Sequence, residues 1–453
     1  MALLEEEKDE LLDMTEKKQY LKLRERLSEM NEVDIAELME DLTPEQVLVI
    51  FRLLPKDLAS EVFACLDIEY QQHIINSIED GELERIIEDL AIDDAVDMVE
   101  ELPASLVRRI LKNATPGTRS LINQYLQYPE NSAGSIMTAE YVALRPAMTV
   151  EEAFAYIRKN GVDKETIYTC YVINPSRKLE GVVTLKDLIM HPYETKVEEI
   201  MEDENIIYAL TTDDQEEVAA TFNKYDLLAL PVVDKEMRLV GIVTVDDIVD
   251  VMEQEATEDF QKMAAMAPSE KSYLKTSVFT LAKNRIVWLL VLMLSSTVSG
   301  LILNHYETTF AALPLLVSFI PTLMDTGGNS GSQASTLVIR GIATGEIELS
   351  DAPRVIWKEL RVGLICGIIL ASVNFVRLMI QYPGNTQICL LVVISMFLTI
   401  ILAKTLGAVL PLLAKAMHLD PALMASPMLT TIVDACSMVI YFTLASKWLQ
   451  SLV

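Results

Sequence analysis

The chain has 453 residues, of which 51% are hydrophobic and 23% charged, and its formal net charge is −30. So long a chain should form two or three domains, and so acidic a surface repels nucleic acid and anionic lipid. Five scattered cysteines without a CxxC pair and four histidines without an HExxH spacing exclude a disulfide framework and a zinc centre. The charge is also unevenly placed. Residues 1–283 carry 59 acidic against 28 basic side chains, whereas residues 284–453 carry eight against nine and are strongly apolar. An acidic, water-facing part followed by a membrane part is the simplest explanation. The first residues lack the basic and apolar regions of a signal peptide, so the acidic part is expected in the cytoplasm.

Residues 1–130 read as short helices in series. Thr43-Pro44-Glu45-Gln46 is a helix start, and Pro55, Pro103 and Pro116 punctuate later ones. Apolar residues recur at helical spacing in Val47, Ile50, Phe51 and Leu54, and again in Ile86, Ile87 and Leu90. An all-α array wound into a small superhelix is expected.

Residues 131–252 hold an internal repeat. Gly181-Val-Val-Thr-Leu-Lys-Asp-Leu-Ile189 recurs 60 residues later as Gly241-Ile-Val-Thr-Val-Asp-Asp-Ile-Val249. A short strand precedes each (Tyr171–Ile173 and Pro231–Val233), and each copy opens on a similar phrase, Ile136-Met137-Thr138 and Ile200-Met201-Glu202. The pattern resembles an α/β tandem pair of cystathionine-β-synthase (CBS) domains. That resemblance implies a regulatory module able to take an adenine nucleotide such as ATP, with Thr184 and Asp187 as its ribose contacts.

Residues 247–270 continue as a connecting helix. At about 100° per residue Asp247, Asp250 and Glu258 fall within a sector of about 80°, with Glu255 and Asp259 beside it, so one face is a carboxylate stripe.

Residues 271–453 contain five candidate membrane spans, near 284–304, 310–339, 361–380, 387–411 and 427–449. Lys275, Lys283 and Arg285 precede the first, Arg340, Arg354, Lys358 and Arg361 separate the second from the third, and Lys415 lies between the fourth and fifth. Arg377 and Lys447 alone fall on the other side, so the positive-inside rule puts the N-terminus in the cytoplasm and the C-terminus outside.

Two aspartates, Asp325 and Asp434, lie where hydrocarbon is expected. An aspartate at mid-span costs roughly 2.5–3.5 kcal/mol, so each should face water or a partner; Lys404 is the one obvious ion-pair candidate. Residues 326–333 are small and polar, and Asp325, Asn329, Gln333 and Thr336 are candidate pore-lining residues. Helix packing alone would explain the glycines and serines, but not the amides. Oxygen ligands without nearby Cys or His favour a hard cation: Mg²⁺, Ca²⁺ or Mn²⁺.

With these features assembled, the chain resembles the MgtE magnesium channel and transporter family over its whole length. The order of the parts carries the resemblance, as do the phrases PTLMDTGGNSGSQASTLVIR (321–340) and DPALMASPMLTTIVDACSMVIYF (420–442). It implies a homodimer in the cytoplasmic membrane, with a pore on the two-fold axis, Asp434 coordinating the pore ion and Asp420 near the cytoplasmic mouth. It further implies regulatory Mg²⁺ ligands at Glu61, Asp93, Asp97, Ser135 (through its backbone oxygen), Asp226, Asp247, Asp250, Glu255, Glu258 and Asp259. Cytosolic Mg²⁺ bridging these groups would close the channel. A coupled exchanger of Mg²⁺ against Na⁺ or H⁺ is the alternative, and a membrane-tethered sensor that conducts nothing a third. The sequence holds no nucleophile with a positioned base, no phosphate loop and no metal triad, so an enzyme is not expected.

Overall fold

The computed structural model describes residues 5–162, 164–269, 273–274, 276–307, 314–424 and 426–450. Lys275 and the first residues of the expected second span, 310–313, lie outside them. The chain divides into two compact units, residues 1–251 and 252–453, and each is described by itself.

The first unit begins with ten helices of 8–12 residues, from Glu5–Glu16 (α1) to Pro116–Tyr125 (α10). The punctuation read from the sequence works as expected. Thr43 caps Pro44–Leu53 (α4) through a capping box with Gln46, whose Oε1 accepts from the Thr43 backbone N–H at 3.0 Å, while Pro44 occupies the first turn. Pro55 and Pro103 are the N-cap residues of Lys56–Ala64 (α5) and Ala104–Asn113 (α9). Helices pack on their next-but-one neighbours: α3 (Glu32–Glu40) on α5, α5 on α7 (Asp80–Asp89), α7 on α9, and α8 (Ile92–Glu101) on α10. That regular stacking is the arrangement of a helical solenoid. Its core is the apolar stripe of each helix, including Val47, Ile50, Phe63, Ile74, Ile87, Val96 and Ile110.

The CBS region forms two three-stranded sheets. Val142–Leu144 (β1) runs parallel to Thr169–Ile173 (β2), which pairs antiparallel with Leu179–Thr184 (β3). Ala209–Leu210 (β4), Ala229–Val233 (β5) and Leu239–Thr244 (β6) repeat the topology. Even the irregularities repeat, with a register shift at Val172/Ile173 in one sheet and at Val232/Val233 in the other. The opening phrases are exchanged relative to their order in the sequence. Thr138 bridges to Ile242 of the second copy, and Glu202 bridges to Val182 of the first. The two repeat glycines permit this, since a Cβ on Gly181 would lie 2.7 Å from Met201 and one on Gly241 2.8 Å from Met137. Tyr171, Leu179, Val233, Leu239 and Ile242 close the seam between the copies.

The connecting helix is Val245–Met263 (α14), starting two residues earlier and ending seven earlier than the expected 247–270. The second unit then holds Val278–His305 (α15), Ile320–Ala343 (α16), Ala352–Gln381 (α17), Thr386–Ala416 (α18) and Ser426–Gln450 (α19). Helices α15, α17, α18 and α19 outrun the apolar segments that announced them, because charged residues such as Lys283, Arg354 and Lys358 still belong to the helical ends, whereas α16 begins at Ile320, well inside the expected 310–339. Four helical stretches, containing α15, α17, α18 and α19, are long and apolar enough to cross a membrane among the described residues. The polar run in α16 keeps it out of that set without breaking the helix. Packing around α16 depends on bare backbone: a Cβ on Gly327 would lie 2.8 Å from Thr399 and 2.9 Å from Val433, and one on Gly407 would collide with the Gly331 carbonyl.

Gly407→Ala should therefore overfill this contact and cost about 1–3 kcal/mol. Thermal unfolding in detergent should show a lowered midpoint, whereas Gly300→Ala, with nothing within 4 Å of the added methyl, should leave it unchanged. Equal midpoints for the two variants would contradict the packing described.

Candidate functional site

Two short stretches bring acids together in the first unit. Helix α8 starts at Ile92, so Asp93 and Asp97, four residues apart, share one of its faces with Asp94 beside them. Helix α14 starts directly after β6, and Thr244 at this junction donates its hydroxyl to Asp247 Oδ2 at 2.8 Å. The two carboxylate groups act on each other. Asp93 is pushed up to about 8, chiefly by burial and then by Asp94 and Asp247. Asp97 is pushed up to about 7 by burial, Glu100, Asp94 and Asp247. Asp247 reaches about 6, where burial outweighs the Thr244 hydrogen bond. Glu165 is raised as well, by burial and then by Asp246 and Asp247.

Among the described residues no lysine or arginine forms an ion pair with Asp93, Asp97 or Asp247. Asp93 Oδ1 is buried without a hydrogen-bond partner. Asp94 and Asp97 nevertheless keep exposed surface, so the cluster is open to ions from water. Among the described residues no three acids, histidines or cysteines converge closely enough to form a finished metal site. The cluster is a crowd of carboxylates, a donor set whose chemistry suits hydrated divalent cations, which keep much of their water.

The other expected regulatory residues are more dispersed. Glu61 is exposed on α5; it acts on Cys65, whose thiol is raised by burial and then by Glu32, Asp94 and Glu61. Ser135 is held in a turn by its hydroxyl, which donates to the Ser132 carbonyl at 2.8 Å. Asp226 is exposed at the C-cap of Gln215–Tyr225 (α13) in left-handed conformation, φ 51°. Asp250 is exposed, and Glu255 is half-buried. In the first CBS copy Thr184 caps Leu185–Met190 (α12) through a capping box with Asp187, and Thr184 is exposed. The second copy puts Thr244 and Asp247 at the same repeat position, where Asp247 takes part in the acidic cluster.

In the second unit the residues of α16 sort by face. Asp325, Asn329, Gln333 and Thr336 are exposed, while Gly327, Gly328, Gly331, Ala334 and Ser335 are buried. Asn329 donates to Asp325 Oδ1 at 3.1 Å. Close packing and a polar surface, alternatives in the sequence, thus occupy opposite sides of one helix. Asp434 is half-buried on α19, next to Val433, which packs at Gly327. Lys404 does not serve as the ion-pair partner expected for Asp325 or Asp434. It is buried and donates to Gln333 Oε1 at 3.3 Å, and among the described residues no ion pair joins it to either aspartate. At the start of this unit Lys262 Nζ lies 2.7 Å from Glu258 and 2.6 Å from Asp420.

A profile of the divalent cation transporter domain named MgtE matches residues 320–444, one of the MgtE intracellular N domain matches 30–131, and the CBS profile matches 133–194 and 197–254. The magnesium transporter MgtE of Thermus thermophilus is 38% identical over 433 residues, covering 95% of both chains. The chain belongs to the MgtE magnesium transporter family. The Bacillus subtilis MgtE is 30% identical over 92% of this chain and 95% of that one. Among solved structures, the cytosolic domain of the Mg²⁺ channel MgtE in complex with ATP covers 53% of this chain at 40% identity and a TM-score of 0.51. The soluble part of a magnesium transporter covers 56% at 29% identity and a TM-score of 0.52. Membership in a family of transporters makes the chain a non-enzymatic protein and its helical second unit a membrane domain.

Sequence reasoning missed Asp94, Glu165 and Asp246 as members of this MgtE chain's acidic cluster, and it missed Lys262. Glu258 and Lys262, four residues apart on a helix, were a readable signal; Glu165 was not, because its place depends on the tertiary fold.

The crowded acids make stability depend on pH. A raised carboxyl contributes stability that is complete below its ordinary value near 3.8 and is lost as pH rises through its folded value, about 8 for Asp93 and about 7 for Asp97. In scanning calorimetry of the full chain without divalent ions, the transition of the first unit should fall between pH 5.5 and pH 8.5. Asp93→Asn should flatten that fall; an equally steep fall in the variant would remove Asp93 from the account.

Proposed function

We propose that this MgtE homologue is a Mg²⁺-selective channel of the cytoplasmic membrane that takes up Mg²⁺ and is closed by cytosolic Mg²⁺. The observation that carries the reading is the two-faced α16, which packs through glycine and exposes a carboxylate, two amides and a hydroxyl along its other side. An exposed strip of that kind within hydrocarbon is costly unless it lines water, and its oxygens suit a hydrated Mg²⁺ better than a stripped one. In this reading α16 is the fifth span beside the four apolar helices. A homodimer brings two such faces to a common axis, with Asp434 from each subunit holding the ion in the pore. The basic residues flanking the spans support, by the positive-inside rule, a first unit in the cytoplasm and a C-terminus outside.

The same ion regulates the channel. Two carboxylates about 6 Å apart at an effective dielectric of ~20 oppose each other by roughly 3 kcal/mol, and a Mg²⁺ between them removes that term. Asp93, Asp97 and Asp247 are the strongest candidates, because they are crowded and unpaired. Glu61, Ser135, Asp226, Asp250, Glu255, Glu258, Asp259 and Asp420 complete the proposed set. Reversing a 1:99 population of open and closed states requires about 5.5 kcal/mol of differential binding, which a few bridged sites would supply. The CBS pair adds a nucleotide input: the related cytosolic domain was crystallised with ATP, and Thr184 is exposed here with Asp187 at its side.

Reconstitution in liposomes tests the pore. Mg²⁺ influx should follow the imposed Mg²⁺ gradient and membrane potential, and Asp434→Ala should lower it at least about tenfold, as expected when an intramembrane ion ligand is lost. Influx that required an opposing Na⁺ or proton gradient would make the protein an exchanger instead. Wild-type influx in Asp434→Ala would sink the pore assignment.

A further inference from the structure

The end of α14 carries a lysine that the proposed regulation does not use, set between two of its acids. Lys262 lies in the last turn of this helix, four residues after Glu258, and its ammonium reaches both Glu258 Oε1 at 2.7 Å and Asp420 Oδ2 at 2.6 Å. Asp420 directly precedes the turn Pro421–Met424, which leads into α19. Its second oxygen, Oδ1, accepts from the Ala422 backbone N–H at 2.8 Å, so the carboxylate is fixed from both sides. The Lys262 side chain is 21% exposed, which makes this more than a surface pair. Burial works against its charge, and the hydrogen bonds to Asp420 and Glu258 more than offset that. Asp259 faces the same spot; burial raises its carboxyl, followed by the charge of Asp420. The next residue, Met263, packs with Ile339 and Ala422, adding an apolar contact beside the charged one.

We propose that Lys262 is a tethered counter-cation: it latches the end of the connecting helix to the turn before the last membrane helix, in the position between Glu258 and Asp420 that a divalent cation would otherwise bridge. The ammonium supplies one positive charge to three carboxylates and costs no cation from solution. A Mg²⁺ entering between Glu258 and Asp420 must displace it. The joint therefore stays closed in the absence of Mg²⁺, and the ion acts there only by exchange with the lysine. The latch rests on the ion pairs alone; the exchange rests on the proposed regulation by Mg²⁺.

Hydrogen exchange of the full-length protein in detergent, followed by mass spectrometry over residues 252–263 with and without Mg²⁺, tests this. In the Mg²⁺-free wild type the segment should be protected. Lys262→Met should exchange about tenfold faster there, the scale of a local opening equilibrium shifted by a lost pair. Lys262→Arg should behave as wild type. Added Mg²⁺ should restore protection in Lys262→Met but not in the double variant Lys262→Met/Asp420→Asn. Unchanged protection over 352–381 in every variant shows that the membrane unit is folded. Full protection of Lys262→Met without Mg²⁺ would overturn the latch, and failure of Mg²⁺ to restore it would overturn the exchange. If Mg²⁺ altered protection nowhere in the wild type, including 92–101, Mg²⁺ regulation would fail, and faster exchange in Lys262→Met would still identify the latch.

Discussion

A carboxylate taken out of water needs a cation or hydrogen-bond donors, or else it keeps its proton, and the architecture of the first unit gives Asp93 no cation among the described residues. One of its oxygens is buried and unpartnered, its neighbours are Asp94 and Asp247, and no basic residue among those described pairs with it. Folding brings these groups together because the solenoid and the CBS pair share a continuous hydrophobic core, in which Ile92, Val96 and Val99 of α8 are joined by Ile248 and Val251 of α14. Apolar burial thus compels an electrostatic conflict. Protons relieve the conflict below the raised values of Asp93 and Asp97, about 8 and about 7, and under the proposed regulation a cation would relieve it above them.

The membrane unit resolves a different constraint. A helix carrying Asp, Asn and Gln cannot present them to lipid, and a helix carrying five glycines and serines within residues 327–332 gains little from lipid contact either. Helix α16 satisfies both conditions by dividing its circumference. The small residues let α18 and α19 approach its backbone, and the same close approach leaves the polar strip on the exposed side, where Gln333 at its edge meets Lys404 of α18. Helix α15, which has no buried residue along its length, likewise retains surface for lipid or a second subunit.

Much of this was legible in the sequence because it depends on local pattern. The capping box at Thr43, the prolines at helix starts and the 60-residue repeat each report on neighbours a few positions away, and the structure places them accordingly. The exchange of the opening phrases between CBS copies was not legible, since Met137 and Met201 are equivalent in pattern and only the three-dimensional crossing tells which glycine each covers. The site residues divide in the same way. The stripe on α14 follows from helical spacing, and Asp93 and Asp97 from the family resemblance, whereas Glu165 enters the cluster only through tertiary packing. Lys404 shows the limit of charge arithmetic: the sequence offered it two aspartates, and the fold gave it the amide of Gln333.

The contrast between the acids of α8 and those at the end of α14 bears on how one chain can use a single ion in graded fashion. Around Asp93 no lysine or arginine among the described residues competes, so under the proposed regulation an arriving Mg²⁺ would have only the protons of the raised carboxyls to displace. Around Asp420 a lysine already holds the position, and an arriving Mg²⁺ gains only the difference between its own attraction and that of the ammonium. Exposed ion pairs are individually weak, but a half-buried ammonium bridging two carboxylates is a stronger competitor. Under the proposed regulation, and above the raised values of Asp93 and Asp97, the unpaired cluster would therefore fill at lower Mg²⁺ than a lysine-bridged one with as many carboxylates. The distribution of basic residues, sparse as they are in the acidic part of the chain, would then set the order in which its acids respond.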